Sequence, residues 1–270
     1  MKIRMIAAFA LLPFLLLVIL LAPTIITAIL LGLLCAVAAY ELLAGTGLVK
    51  NIRLIAYSAL TASIVPIWCY FGSVKLWAVL GLSIFTVLLF SELLVSKAKV
   101  RIEKISVCFI AGVLIPYLLS ALVRIICVYN GRHLLMIPFA LAFLSDSGAY
   151  FVGRAFGRHK LAPVISPNKS VEGMLGGVAT AVIGMLLFCL ISDLVMPYRI
   201  HYLNAVAYGV VGSFAGVFGD LCFSAIKRQT GIKDYGNLIP GHGGILDRFD
   251  SLVVIAPLVE VLMMLLPVVG

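Results

Sequence analysis

A chain of 270 residues that is 63% hydrophobic and only 11% charged carries more apolar side chain than a soluble domain of its size can bury, so it is read as an integral membrane protein. Its net charge of +9 does not point to nucleic acid, because no soluble module is present to display a basic face; it fits basic loops lying against anionic headgroups. The six cysteines (Cys35, Cys69, Cys108, Cys127, Cys189 and Cys222) lie in or beside apolar runs with no CxxC spacing, which argues against a disulfide framework and a thiolate metal site.

The predicted fold is all-α, a polytopic membrane protein of about nine transmembrane helices. In chain order the apolar runs are 5–21, 24–43, 54–71, 76–95, 105–123, 134–153, 174–195, 203–222 and 251–269, each near the roughly 20 residues that cross a bilayer. Only Ala22 and Pro23 separate the first two, as in a tight hairpin or one broken helix. Met1–Arg4 followed by apolar residues resembles a secretion signal, but no small-residue cleavage site with a soluble domain behind it follows, so the run is read as a retained first helix. With the N-terminus in the cytoplasm, only Lys75, Arg124, Arg132 and Arg199 of the twenty Lys and Arg face outward. That bias orients the chain in the cytoplasmic membrane and turns residues 224–250 toward the cytoplasm. Residues 1–132 form N-terminal membrane helices without a recognisable motif, and 133–270 form the catalytic region.

The eleven acids mark where chemistry is expected, because a carboxylate against lipid costs a few kcal/mol unless paired, hydrated or metal-bound. Glu41, Glu92 and Glu260 stand near span ends and are read as interfacial or cation-paired carboxylates. Asp146 lies two thirds along its span, and Asp220 ends the series Gly209, Gly212, Gly216, Gly219, whose small residues let helices approach and turn Asp220 toward the bundle interior.

Residues 224–250, SAIKRQTGIKDYGNLIPGHGGILDRFD, hold four basic residues, three acids, a histidine and five glycines. Asp220, Ser224 and Lys227, at i, i+4 and i+7, share a face if the eighth helix extends that far. Gly231 and Gly236 break it, and residues 240–244 form a turn whose amides can approach a ligand. The ninth helix is predicted to start near Ile245, with Asp247 and Asp250 in its first turn beside amides suited to phosphate. Carboxylates converging from two helices suit a hard divalent cation; the alternative is that Asp247 with Arg248, and Lys233 with Asp234, form loop ion pairs. A second polar loop runs from Arg154 to Gly173. Ser170 or Ser166 caps the seventh helix there, and Lys169, misplaced beside a helix N-terminus, calls for an anion such as phosphate.

Ser224, Lys227-Arg228, Lys233-Asp234, Gly236, Pro240, His242-Gly243-Gly244, Asp247-Arg248 and Asp250, with the blocks 146–150 and 166–173, resemble the signature of phosphatidate cytidylyltransferases (CDP-diacylglycerol synthases). The resemblance covers residues 145–250. It implies the reaction of CTP with phosphatidate to give CDP-diacylglycerol and pyrophosphate, with Mg²⁺ and a second cation as the alternative count. On that basis Asp220, Lys227, Asp247, Asp250 and His242 are expected to be catalytic, and Asp220, Asp247, Asp250 and Asp146 to surround metal. Lys169, Ser170, Ser224, Arg228, Lys233, Asp234, Gly243, Gly244 and Arg248 are expected to bind substrate. His242 is read equally as a phosphate donor or a turn stabiliser. The small-residue faces serve intramolecular packing or a homodimer. The competing readings are another CTP-using lipid enzyme (a CDP-ether-lipid synthase, or a polyprenol or phytol kinase) and an ion-coupled transporter. The last is disfavoured because the polar clusters lie at one membrane face and no internal repeat is visible.

Overall fold

The computed structural model describes residues 21–72, 75–97, 100–195, 200–238 and 243–269. In chain order they form α1 (Thr24–Tyr40) with a π-helical turn Glu41–Gly45, α2 (Ile52–Phe71), α3 (Lys75–Val95) and α4 (Ile102–Phe109). A second π-helical turn, Ile110–Leu114, leads to α5 (Ile115–Leu119), α6 (Ala121–Ile126), α7 (Gly131–Leu134) and α8 (Met136–Phe156). The strands β1 (Lys160–Ala162) and β2 (Ser166–Ser170) precede α9 (Val171–Val195), α10 (Tyr202–Gln229), α11 (Leu246–Phe249) and α12 (Leu252–Leu265).

Seven helical segments among the described residues are long and apolar enough to cross a membrane: Thr24–Gly45, Ile52–Phe71, Leu76–Val95, Ile102–Ile126, Gly131–Phe156, Val171–Val195 and Tyr202–Gln229. They match the second to eighth predicted runs, and the protein is an integral membrane protein. Leu76, Trp77, Val79, Val87 and Leu94 on α3 are each more than half exposed, which is the surface that hydrocarbon covers. The first predicted run, 5–21, lies outside the described residues except for Leu21. The ninth is a 14-residue helix, about 21 Å at 1.5 Å per residue, against a hydrocarbon core of roughly 30 Å.

By backbone contacts the chain divides into two compact units. One holds the described residues through Tyr129 together with Gln229–Phe249. Inside it, a Cβ on Gly32 would strike the backbone of Ser63, and one on Gly112 would sit 2.9 Å from Phe85 and 3.2 Å from Ser58. Small residues thus set how closely these helices pack. Asn51 starts α2, its Oδ1 accepting from Arg53 N at 3.0 Å while Nδ2 donates to Glu92 Oε2 at 3.0 Å. Arg53 Nη1 donates to Glu92 Oε1 at 3.3 Å, so Glu92 takes the cation-paired form expected of it.

The other unit holds Asn130–Arg228 and Asp250–Gly270. Here α8 and α9 pack closely: a Cβ on Gly148 would strike Thr180, and one on Gly177 would meet Ser145 O at 2.7 Å. The glycine face of α10 is lined in turn by Val182 at Gly209, Leu141 at Gly212, Ile255 at Gly216, and Asp250 O, 2.7 Å from a Cβ built on Gly219. At the other end, Ile200 bridges Val269, and His201 N donates to Val268 O at 2.9 Å. Thus α12 runs antiparallel to α10, and its start stands ten residues, about 15 Å, short of the end of α10.

Two local features differ from the sequence reading. Residues 160–170 form an antiparallel hairpin with Lys160 opposite Ser170 and Ala162 opposite Ser166. The ninth helix does not begin as one rod at Ile245: Leu246–Phe249 is a separate helical turn, and the two-residue turn Asp250–Ser251 separates it from α12. Asp250 Oδ1 accepts from Ser251 N at 2.7 Å, a local side-chain bond that competes with the helical ladder.

Candidate active-site clusters

In the unit that contains α10, that helix runs to Gln229, so Asp220, Ser224 and Lys227 do share a face. Ser224 Oγ donates to Asp220 Oδ1 at 3.1 Å, and Lys169 Nζ forms an ion pair with Asp220 Oδ2. The anion that Lys169 called for is therefore, in this structure, a carboxylate of the protein itself. Lys227 is buried at 9% exposure, although long cations are seldom fully buried unless partnered. Asp250 is equally buried, and besides the Ser251 amide its Oδ1 accepts from Ser251 Oγ at 3.4 Å. Burial first, then the negative charge of Asp220, pushes the Asp250 carboxyl up to about 7, with Asp146 adding to the rise. The Ser251 amide and Lys227 act in the opposite sense. Asp146 itself is exposed on α8.

Ser170 and Arg228 do structural work in the same unit. Ser170 Oγ accepts from Gly173 N at 3.1 Å, the capping bond that its position before α9 predicts. Ser170→Ala is expected to cost about 1 kcal/mol, read as a lower melting temperature in detergent. Arg228 Nε donates to Ile165 O at 3.2 Å, tying the hairpin to the end of α10. Glu172 gathers the preceding loop, accepting from Arg158 N at 3.0 Å and His159 N at 3.2 Å, with His159 Nδ1 at 2.5 Å.

The other unit contains the glycine turn. Asp247, 8% exposed, uses Oδ2 to accept from Tyr235 N at 2.8 Å and Gly244 N at 3.0 Å, tying Tyr235 and Gly244 to one carboxylate oxygen. Gly243 sits at φ +84°, where side chains are strained, and a Cβ there would stand 2.9 Å from Asp247 Oδ2. Lys233, Asp234 and Arg248 are exposed. His242, with Pro240 and Gly241, lies outside the described residues.

Sequence reasoning missed one residue of this turn. Glu41, 4% exposed at the π-helical end of α1, accepts from Ile245 N at 3.0 Å and Leu246 N at 2.8 Å. A Cβ on Gly236 would lie 2.5 Å from Glu41 Oε1, and one on Gly244 would collide with the carboxylate. The available signal was its setting: AAYELLAG offers no cation within helical reach, the nearest basic residue being Lys50.

Among the described residues no three His, Cys, Asp or Glu side chains converge closely enough to hold a metal ion by themselves. The donors in the α10 unit are nonetheless all carboxylates, with the Asp250 carboxyl raised to about 7 by burial first and then by the charge of Asp220. Such a set fits a hard cation that takes one or two protein carboxylates and completes its shell with phosphate and water.

The sequence model of the cytidylyltransferase family matches residues 2–266. Proteins named phosphatidate cytidylyltransferase are similar to this chain: that of Staphylococcus saprophyticus is 42% identical over 134 residues, 50% of either chain. That of Haemophilus influenzae is 45% identical over 129 residues, covering 48% of this chain and 45% of the relative. That of Staphylococcus aureus is 44% identical over 140 residues, 50% of either chain. The chain thus spans about half the length of the relatives it matches.

Proposed function

This chain belongs to the cytidylyltransferase family, and from that premise we propose that it transfers the cytidylyl group of CTP to phosphatidate, giving CDP-diacylglycerol and pyrophosphate. The observation that carries the reading is the alternation of charge around α10, where Lys169, Asp220, Lys227 and Asp250 are gathered in one unit. The reactants are two phosphate-bearing anions that repel each other, so a useful site must supply cations and a means of holding more. A non-bridging oxygen of the lipid phosphate attacks the α-phosphorus of CTP. The bond to the α,β-bridging oxygen breaks, and its electron pair leaves with pyrophosphate. The attacking oxygen is already anionic at neutral pH, so no Ser–His or Cys–His pair is needed.

We assign Lys227 and Lys169 to the phosphates; Lys169 turns to them when its bond to Asp220 is exchanged. Asp220 and Asp250, with Asp146 beside them, are the carboxylates for Mg²⁺, which when bound would neutralise phosphate charge and stabilise the leaving pyrophosphate. Asp247 acts as the anchor of the glycine turn through the Gly244 amide, and the Gly243 amide, with Lys233, Arg248 and His242, is assigned to CTP. The site opens to the cytoplasm in this reading, where CTP is found and where the basic loops belong.

Purified protein given CTP and phosphatidate decides the reaction. Label from the α-phosphorus is expected to enter lipid only when Mg²⁺ is present. Label entering from the γ-phosphorus would identify a lipid kinase, and transfer of neither would overturn the assignment.

A further inference from the structure

We infer that Glu41, far from the signature in sequence, is a positioning residue that holds the glycine turn in its phosphate-ready shape; this rests on the reaction proposed above. Both carboxylate oxygens are committed to consecutive backbone amides, those of Ile245 and Leu246. A carboxylate in a membrane chain normally calls for a cation, yet this one is charge-compensated by amides at the entrance to α11. The fit is reciprocal. Gly236 and Gly244 lack side chains where the carboxylate sits, and a Cβ on Gly45, in the same π-helical turn as Glu41, would collide with Tyr235 O. Asp247 secures the same loop from within through Tyr235 N and Gly244 N. Gly244 N, Ile245 N and Leu246 N are therefore all held by carboxylates, and the turn between them cannot shift without breaking these bonds. The Gly243 amide assigned to CTP is presented by a loop whose seat is supplied by the end of α1.

Glu41→Gln changes one oxygen to an amide nitrogen, which sets donor against donor at one of the two bonds. Misplacing a binding group by about 1 Å costs on the order of 10²-fold in rate. The expected result is a 10- to 100-fold loss in kcat/KM for CTP, with KM for phosphatidate unchanged. Hydrogen exchange at Ile245 and Leu246 should accelerate about tenfold or more, as loss of one charge-assisted bond implies. Glu92→Gln, a comparably buried carboxylate in the same unit, is expected to leave CTP kinetics near wild type. Should Glu41→Gln fail to fold, Gly244→Ala tests the same seat from the loop side by pressing a methyl group onto the carboxylate. Faster exchange with unaltered CTP kinetics, or unaltered exchange, would overturn the inference. A wild-type protein without CTP turnover would sink the reaction itself, while the exchange measurement would still decide whether Glu41 holds the turn.

Discussion

Asp220→Asn is expected to lower cytidylyl transfer by about 10³-fold or more, the scale seen when one preorganised electrostatic group is removed from a reaction centre. The substitution keeps the shape of the side chain, and the Asn oxygen can still accept from Ser224 Oγ, which lies 3.1 Å from Asp220 Oδ1. What it removes is the charge that pairs with Lys169. It sets an amide N–H against the ammonium group and withdraws a metal-binding oxygen. Folding should survive, because α10 is seated by Gly209, Gly212, Gly216 and Gly219 against Val182, Leu141, Ile255 and Asp250. Initial rates with α-labelled CTP, compared at equal amounts of monodisperse protein, provide the measurement. Residues that act as a unit give non-additive losses, so Lys169→Met combined with Asp220→Asn should lose little beyond Asp220→Asn alone. An Asp220→Asn protein retaining more than about a tenth of wild-type rate would be incompatible with the electrostatic role assigned to it.

The parts that were legible in the sequence are those with local causes. Apolar runs of bilayer length located the described spans, and i, i+4, i+7 spacing placed Asp220, Ser224 and Lys227 on one face of a helix that does reach Gln229. Ser170 as a cap was readable from its place before an apolar run. The break at Asp250–Ser251 was only half legible: the apolar run begins at Ser251, but the separate turn Leu246–Phe249 before it shows only in the structure, where Asp250 accepts from the Ser251 amide. Residues 160–170 contain Pro163 and Pro167 and no alternating apolar pattern, so nothing local announces a hairpin. Lys169 was read as calling for an anion such as phosphate; its partner in the structure, Asp220, stands on another helix and could not be read locally. Glu41 shows the limit most clearly: its two amide partners lie 204 and 205 residues away. No periodicity within α1 encodes a bond across that separation.

Asp250→Asn is expected to abolish turnover and yet stabilise the metal-free protein at pH 8. The carboxyl is held at about 7, above its ordinary 3.8. Between those values the folded protein keeps a proton that the unfolded chain releases, so unfolding becomes easier as pH rises through this window and levels off above it. Each unit of separation corresponds to about 1.4 kcal/mol, so the full effect is a few kcal/mol, or roughly 5–10 °C in melting temperature for a chain of this size. Asn cannot titrate there, and its oxygen can still accept from Ser251 N, so the variant should lose most of this pH dependence. The same logic gives the metal dependence. A cation requires the ionised carboxylate, so Mg²⁺ should raise the melting temperature of the wild type at pH 8, much less at pH 5, and hardly at all in Asp250→Asn. The burial that makes Asp250 destabilising when ionised and unpaired is what makes it responsive to a cation. Parallel pH profiles for wild type and variant in metal-free detergent solution would show that Asp250 does not carry this charge.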